Sequence, residues 1–135
     1  MNLTIVYIHG INVDAPGYST PLHHNIGAYL WKRGYWDHQV QAEVFWGDLF
    51  SPSAAKLLDL MKAKKLGWST VRRLSLDTVA QALGYEDAPG IGAYDRVHER
   101  VAATLKLGAA KAGGRGKVFI VAHSLGSIVA SNYLW

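Results

Sequence analysis

One short segment near the end of the chain carries residue types that can do covalent chemistry. Ser124 stands between two small residues, two positions away on each side, in the run Ala122-His123-Ser124-Leu125-Gly126. Small residues at these positions allow a sharp turn between a strand and a helix, because larger side chains would collide across it. Such a turn lifts the serine oxygen clear of the backbone, so the pattern predicts a serine placed to act as a nucleophile.

The residues on either side of this segment are typical of the strand and the helix that the turn requires. Residues 117–121 form an apolar run that predicts a strand, and an apolar helix is expected from near Leu125 to Trp135. The first turn of that helix would point backbone N–H groups at negative charge developing beside Ser124. The alternative is an ordinary loop in which His123 is merely packed and Ser124 has no chemical role.

A second segment, His9-Gly10-Ile11-Asn12, follows the apolar run at residues 3–8. A glycine after the strand lets the backbone turn tightly, which leaves the next amide free to point into a site. A His-Gly pair after a strand is common and unspecific on its own. Its pairing with the serine segment about 115 residues later makes it informative.

Together the two segments resemble the α/β-hydrolase superfamily, in particular its lipase- and esterase-like serine hydrolases. The serine segment resembles the nucleophile elbow G-x-S-x-G, with Ala in place of the first Gly. The resemblance implies that Ser124 is the nucleophile and that the backbone N–H groups of Ile11 and Leu125 hold the oxyanion. The other residues of the two segments would support the loop and the turn: His9, Gly10, Ala122, His123 and Gly126.

The resemblance covers nearly the whole chain but only about the N-terminal half of a complete family member. In the family, an acid and then a histidine follow the serine, and neither follows Ser124 here. We therefore expect a chain truncated after the nucleophile helix, a triad completed beyond Trp135, and no activity in this piece alone. The implied function is hydrolysis of small-molecule or lipid carboxylic esters without a cofactor. The alternative is a non-catalytic binding or regulatory module that retains the fold.

The order of the predicted elements indicates an α/β fold in a single domain over residues 1–135. Strands are predicted at residues 3–8, 39–46 and 117–121, and helices at 21–33, 52–61, 69–84, 93–112 and 125–135. A loop is predicted at residues 84–92. The alternation implies a three-layer α/β/α arrangement with a parallel sheet. The resemblance implies that this is part of an α/β-hydrolase fold with the first strand in the middle, so we expect the strand order 2-1-3. The third strand then lies at an apolar edge, where an oligomer could cover it.

Composition and charge narrow the remaining classes of function. Half of the residues are hydrophobic, which argues against a disordered chain. The chain has no cysteine, which excludes thiolate catalysis and Cys-ligated metals. A net charge of +4 is too small to indicate nucleic-acid binding. The basic stretch 56–73 is interpreted as a solvated helix face or as a weak contact with an anionic surface. Without a signal peptide or a long apolar run, we expect a cytoplasmic protein.

Patterns typical of metal and nucleotide sites are incomplete. His98-Glu99 is followed by Ala102 where a zinc-protease motif needs a second histidine. His23 and His24 are adjacent, so on a helix their side chains would point about 100° apart and make a poor metal pair. No metal site is expected.

Overall fold

The computed structural model describes residues 2–35, 39–50, 85, 92–113 and 116–135. These residues form a small α/β fold around a three-stranded parallel sheet. The predicted helices at 52–61 and 69–84 and the basic stretch 56–73 lie outside the described residues. The elements are β1 (Leu3–Ile8), α1 (Thr20–Trp31), β2 (Gln39–Val44), a 3-10 helix (Gly47–Leu49), α2 (Ala93–Lys111), β3 (Lys117–Ala122) and α3 (Leu125–Leu134).

The sheet has the order β2-β1-β3, and both pairings are parallel. Ile8, the last residue of β1, is in register with Val44 of β2 and Ala122 of β3. This confirms the predicted strand order and direction. A central parallel strand is covered on both faces, which explains why β1 is apolar almost throughout and buried from Thr4 to Ile8.

Helices α2 and α3 pack against one face of the sheet and form the main core. Val6 of β1, Val97 and Val101 of α2 and Val129 of α3 are fully buried in this core. A Cβ added to Gly108 would lie 2.6 Å from Cγ2 of Thr4, so α2 lies directly on the central strand. The Thr4 hydroxyl donates a hydrogen bond to the Gly108 carbonyl (3.2 Å) and leaves no unsatisfied donor in this contact.

The opposite face of the sheet carries Tyr7 and Gln41. The Tyr7 hydroxyl donates to Oε1 of Gln41 (2.5 Å). Helix α1 lies on this side, because a Cβ added to Gly27 would be 3.5 Å from Nε2 of Gln41. This helix contains no buried residue, which marks a weaker packing than that of α2 and α3.

Some element boundaries differ from the predicted ones. Helix α1 begins at Thr20 with Ser19 as its N-cap, one residue earlier than predicted. Strand β2 ends at Val44 rather than at position 46. The physical reason is that the Trp46 N–H donates to the ring of His9 (3.0 Å) instead of continuing the strand ladder.

Tyr85 corrects the predicted loop at residues 84–92. It is a helical residue with only 2% of its surface exposed. Its ring packs against Tyr94 and its hydroxyl lies 3.0 Å from Nε2 of His98. The other residues from 84 to 91 lie outside the described part of the chain.

In the described ranges, no helix combines the length and the apolar character needed to cross a bilayer.

Candidate active site

Ser124 forms the turn between β3 and α3. It is the N-cap of α3 and has φ +54° and ψ −127°, so the expected positive φ is confirmed. An L-residue with a side chain rarely adopts this backbone conformation. The turn is closed by hydrogen bonds from the Gly126 N–H to the His123 carbonyl (3.0 Å) and from the Ser127 N–H to the Ser124 carbonyl (2.9 Å). Ser124 itself is exposed to solvent.

The turn at Ser124 packs closely against the end of β1. A Cβ added to Gly126 would lie 2.4 Å from the His9 carbonyl oxygen and 2.5 Å from that of Ile8. The His123 N–H donates to the same Ile8 carbonyl (3.1 Å). Ala122, the last residue of β3, lies beside Ile8 in the sheet. A side chain at Gly126 would therefore collide with backbone atoms at the end of β1, which is why this position requires a glycine.

The two segments singled out in the sequence meet at Gly10. A Cβ on Gly10 would lie 2.8 Å from Cβ of Ser124, 2.9 Å from the His123 carbonyl oxygen and 3.3 Å from Oγ of Ser124. Glycine is the residue that fits this gap, because any side chain would displace the serine. The loop after the first strand is thus in direct contact with the serine turn.

His9 is a buried residue whose two ring nitrogens are both engaged. The Trp46 N–H donates to Nε2 (3.0 Å), so Nδ1 carries the proton and donates it to the Gly10 carbonyl (2.6 Å). The ring also stacks on Trp46, with centroids 4.4 Å apart and planes 13° apart. Burial lowers the pKa of His9, and the nearby Glu43 charge and the Gly10 hydrogen bond oppose this only in part. A neutral ring without a free nitrogen is a structural group and not a base.

The hydrogen bond from His9 also fixes the direction of a backbone amide. The Gly10 carbonyl and the Ile11 N–H belong to one trans peptide plane and point in opposite directions. Because the carbonyl is held by the His9 ring, the Ile11 N–H points away from that ring. The Leu125 N–H lies in the first turn of α3, where backbone donors lack intrahelical partners.

Glu43 of β2 holds the loop between β1 and α1. Its carboxylate accepts hydrogen bonds from the Gly17 N–H, from the Ser19 N–H (3.2 Å) and from the Ser19 hydroxyl (2.7 Å). Partial burial acts to raise the pKa of Glu43, but these hydrogen bonds together outweigh it and the pKa is lowered. Tyr18 also holds this loop, because its hydroxyl is hydrogen-bonded to the carbonyls of Tyr7 (2.7 Å) and Val44 (3.0 Å).

Sequence analysis missed both of these loop-holding residues. Glu43 occupies an ordinary polar position of an alternating strand, and its partners lie 24 and 26 residues away. The sequence signal for this contact was a carboxylate near the end of β2 together with a serine N-cap at the start of α1.

Three further described histidines lie outside the two motif segments: His98 on α2, and His23 and His24 on α1. Nε2 of His98 is 3.0 Å from the Tyr85 hydroxyl, which also accepts a hydrogen bond from the Asn132 amide (3.3 Å). Burial lowers the pKa of His98, opposed by Asp95. The rings of His23 and His24 are 6.0 Å apart on α1. Within the described ranges, no three His, Cys, Asp or Glu side chains are grouped so that they could hold a metal ion.

A cavity of about 340 Å³ lies beside the serine turn, on the face of the sheet opposite α2 and α3. Gly10, Ile11 and His123 form its wall nearest to Ser124. Tyr18 and Leu22 line it further along, at the end of the loop and the start of α1. The cavity volume lies at the small end of the range of about 300–1,000 Å³ that is typical of ligand pockets.

No model of a protein family, no curated protein and no solved structure matches the chain. Any assignment of function therefore depends on the geometry of the serine turn and its surroundings.

Proposed function

We propose that the chain supplies the nucleophile and the oxyanion hole of a serine hydrolase that acts on carboxylic esters, similar to lipases and esterases. The observation that carries this proposal is the turn at Ser124: an exposed serine with φ +54° in contact with Gly10. Strain of this kind costs about 1–3 kcal/mol and is concentrated at functional sites. A serine that only connects β3 to α3 would have no need of it.

The proposed fold is the corresponding part of the α/β-hydrolase fold, with helices on both faces of the sheet in three layers. Support comes from the packing of α2 and α3 on one face and the position of Gly27 of α1 against Gln41 on the other. In such a sheet, ligands bind at the carboxyl ends of the strands, which is where Gly10 and Ser124 meet.

In the proposed reaction, Oγ of Ser124 attacks the ester carbonyl and the alcohol leaves, which gives an acyl-serine that water then hydrolyses. The N–H groups of Ile11 and Leu125 stabilise the negative charge on the carbonyl oxygen. A histidine takes up the serine proton and gives it to the leaving alcohol, and an acid orients the histidine. Neither an acid nor a histidine follows Ser124 among these 135 residues.

His9 has a positioning role in this scheme. Its bond to the Gly10 carbonyl directs the Ile11 N–H, and its bond from Trp46 ties the loop to the end of β2. Both hydrogen bonds are buried, so the loop is held rigidly before substrate arrives. Preorganised donors of this kind stabilise a transition state without reorganisation during the reaction.

Hydrolysis of short acyl p-nitrophenyl esters tests the proposal. In the protein isolated from its natural source, we expect Ser124→Ala to lower kcat by roughly 10⁴–10⁶-fold. Ser131→Ala, at an exposed position two turns along the same helix, should leave it unchanged. The 135 residues alone should be inactive both with and without Ser124→Ala. Ester turnover that survives Ser124→Ala would contradict the proposal, and tight ligand binding without any turnover would favour the non-catalytic module.

A further inference from the structure

Residues 45–48 follow β2 and pack against the loop between β1 and α1. The backbone N–H of Trp46 donates to the His9 ring (3.0 Å), and its indole N–H donates to the His9 carbonyl (3.2 Å). A Cβ added to Gly47 would collide with the Val13 carbonyl oxygen, so the two backbones are in direct contact there as well. The position of this segment therefore determines the position of the loop.

Arg100 of α2 holds this segment at both of its ends. Its Nη1 donates to the Phe45 carbonyl (2.8 Å) and to Oδ1 of Asp48 (2.5 Å), and its Nη2 donates to Oδ2 of Asp48 (2.9 Å). The hydrogen bonds from Arg100 lower the pKa of Asp48. A guanidinium can make these three bonds at once because its N–H groups form a fixed fork. Since 36% of the Arg100 side chain and 51% of the Asp48 side chain are exposed, this ion pair adds little to stability, and its main effect is on geometry.

Two carboxylates act on the charge of His9, and they have different partners. Glu43 accepts hydrogen bonds from backbone N–H groups and a hydroxyl, whereas Asp48 is paired with Arg100. Burial, the largest effect, lowers the pKa of His9, and both carboxylates act to raise it. Loss of the Arg100 charge would leave Asp48 unbalanced and would favour a protonated ring. A protonated ring has no nitrogen that can accept the Trp46 N–H.

We infer that Arg100 is a positioning residue for the oxyanion hole and that it acts through His9. The inference rests on the proposed function and adds a residue from a helix outside the serine turn and the loop. The hydrogen bonds of Arg100 fix the segment that orients His9, and its charge balances Asp48 so that the ring stays neutral. His9 in turn holds the Gly10 carbonyl, which directs the Ile11 N–H.

Imidazole nitrogen chemical shifts of His9 in the 135-residue chain test the inference without any catalytic step. Near neutral pH they should report a protonated Nδ1 and an unprotonated Nε2. Arg100→Gln should raise the pH at which Nε2 takes up a proton and should move the Ile11 amide signal. Asp48→Asn should lower that pH, and its combination with Arg100→Gln should cancel the rise.

Lys106→Gln is the matched control, because it removes one positive charge from an exposed position of the same helix. It should leave the His9 signals in place. Arg100→Lys separates charge from geometry, since an ammonium stays beside Asp48 but lacks the fork that also reaches a backbone carbonyl. It should move the Ile11 amide signal and leave the protonation of His9 unchanged. If the His9 and Ile11 signals in Arg100→Gln matched those in Lys106→Gln, the inference would be overturned, whatever the change in stability.

Ester hydrolysis by the protein isolated from its natural source measures the consequence for catalysis. Arg100→Gln should lower kcat by about 3–20-fold and leave KM within about twofold, because an oxyanion donor acts in the transition state. Arg100→Lys should recover part of this loss, and Lys106→Gln should leave kcat unchanged. A change in KM at constant kcat would overturn the inference. Absence of all hydrolysis counts against the proposed function, and the His9 and Ile11 signals then still decide whether Arg100 positions the loop.

Discussion

His9 lies next to the serine turn as a buried hydrogen-bonding ring. The sequence predicted this role by resemblance, since a histidine followed by glycine after a strand marks the loop beside the nucleophile. It did not predict the partner of Nε2, the backbone N–H of Trp46, which lies 37 residues away. A contact between one side chain and a distant backbone group leaves no periodic signal, because its geometry depends on how two strand ends meet.

Replacement of His9 by phenylalanine tests its positioning role. His9→Phe keeps an aromatic ring on Trp46 but leaves the Trp46 N–H and the Gly10 carbonyl without their partners. We expect a loss of about 1–3 kcal/mol in the free energy of unfolding. We also expect a fall in kcat with little change in KM, because an oxyanion donor acts in the transition state. The acidic limb of the pH profile should stay in place, and its disappearance would identify His9 as the base instead.

Gly126 and Gly27 form a matched pair for a second residue-level prediction. A Cβ at Gly126 would lie 2.4 Å from a backbone oxygen, so Gly126→Ala forces the turn and β1 apart and should cost about 1–3 kcal/mol. A Cβ at Gly27 meets its nearest neighbour at an ordinary 3.5 Å within a helix, so Gly27→Ala should stabilise by about 0.5–1 kcal/mol. Urea unfolding of both variants measures the difference, and equal effects would refute the close contact at the turn.

The elements β1, β3 and α3 follow closely from local sequence, whereas the end of β2 does not. The apolar run at residues 3–8 coincides with β1, and the predicted third strand is only one residue shorter than β3. Strand β2 was predicted two residues too long because Trp46 continues the apolar pattern. Its backbone donor is used by His9 instead, so a tertiary hydrogen bond decides where the strand stops.

The loop between β1 and α1 is expected to loosen at acidic pH through Glu43. Folding lowers the pKa of Glu43, so its carboxylate stabilises the folded protein at pH values above its unfolded pKa of about 4.5. This stabilisation is lost as the pH falls through the lower pKa that Glu43 has in the folded state. Glu43→Gln should therefore cost about 0.5–1.5 kcal/mol at pH 7, and the cost should shrink as the pH approaches 3.

Glu99→Gln, at an exposed position of α2, is the control for this experiment and should change little at either pH. Free energies of unfolding, measured for both variants from pH 3 to pH 7, show whether the cost of Glu43→Gln depends on pH. A cost of Glu43→Gln that is the same at every pH would show that the carboxylate charge does not hold the loop.

For the molecule as a whole, the sheet order was predicted from the strand–helix alternation, which permits few arrangements, together with the resemblance at the serine turn. The sequence did not decide what covers the outer edge of β3, where 44% of Val118 and 53% of Phe119 are exposed. Long-range coverage of an edge has no local signature, so an oligomer at this edge stays a prediction. The weak anionic contact through residues 56–73 and the cytoplasmic location likewise stay predictions.

Mapping of the serine that reacts with a fluorophosphonate tests directly whether Ser124 is the nucleophile. The measurement is intact mass followed by peptide mapping of the protein isolated from its natural source. We expect one adduct, located at Ser124, absent in Ser124→Ala and retained in Ser131→Ala. No adduct under conditions that label known serine hydrolases, or an adduct that persists in Ser124→Ala, would contradict this role of Ser124.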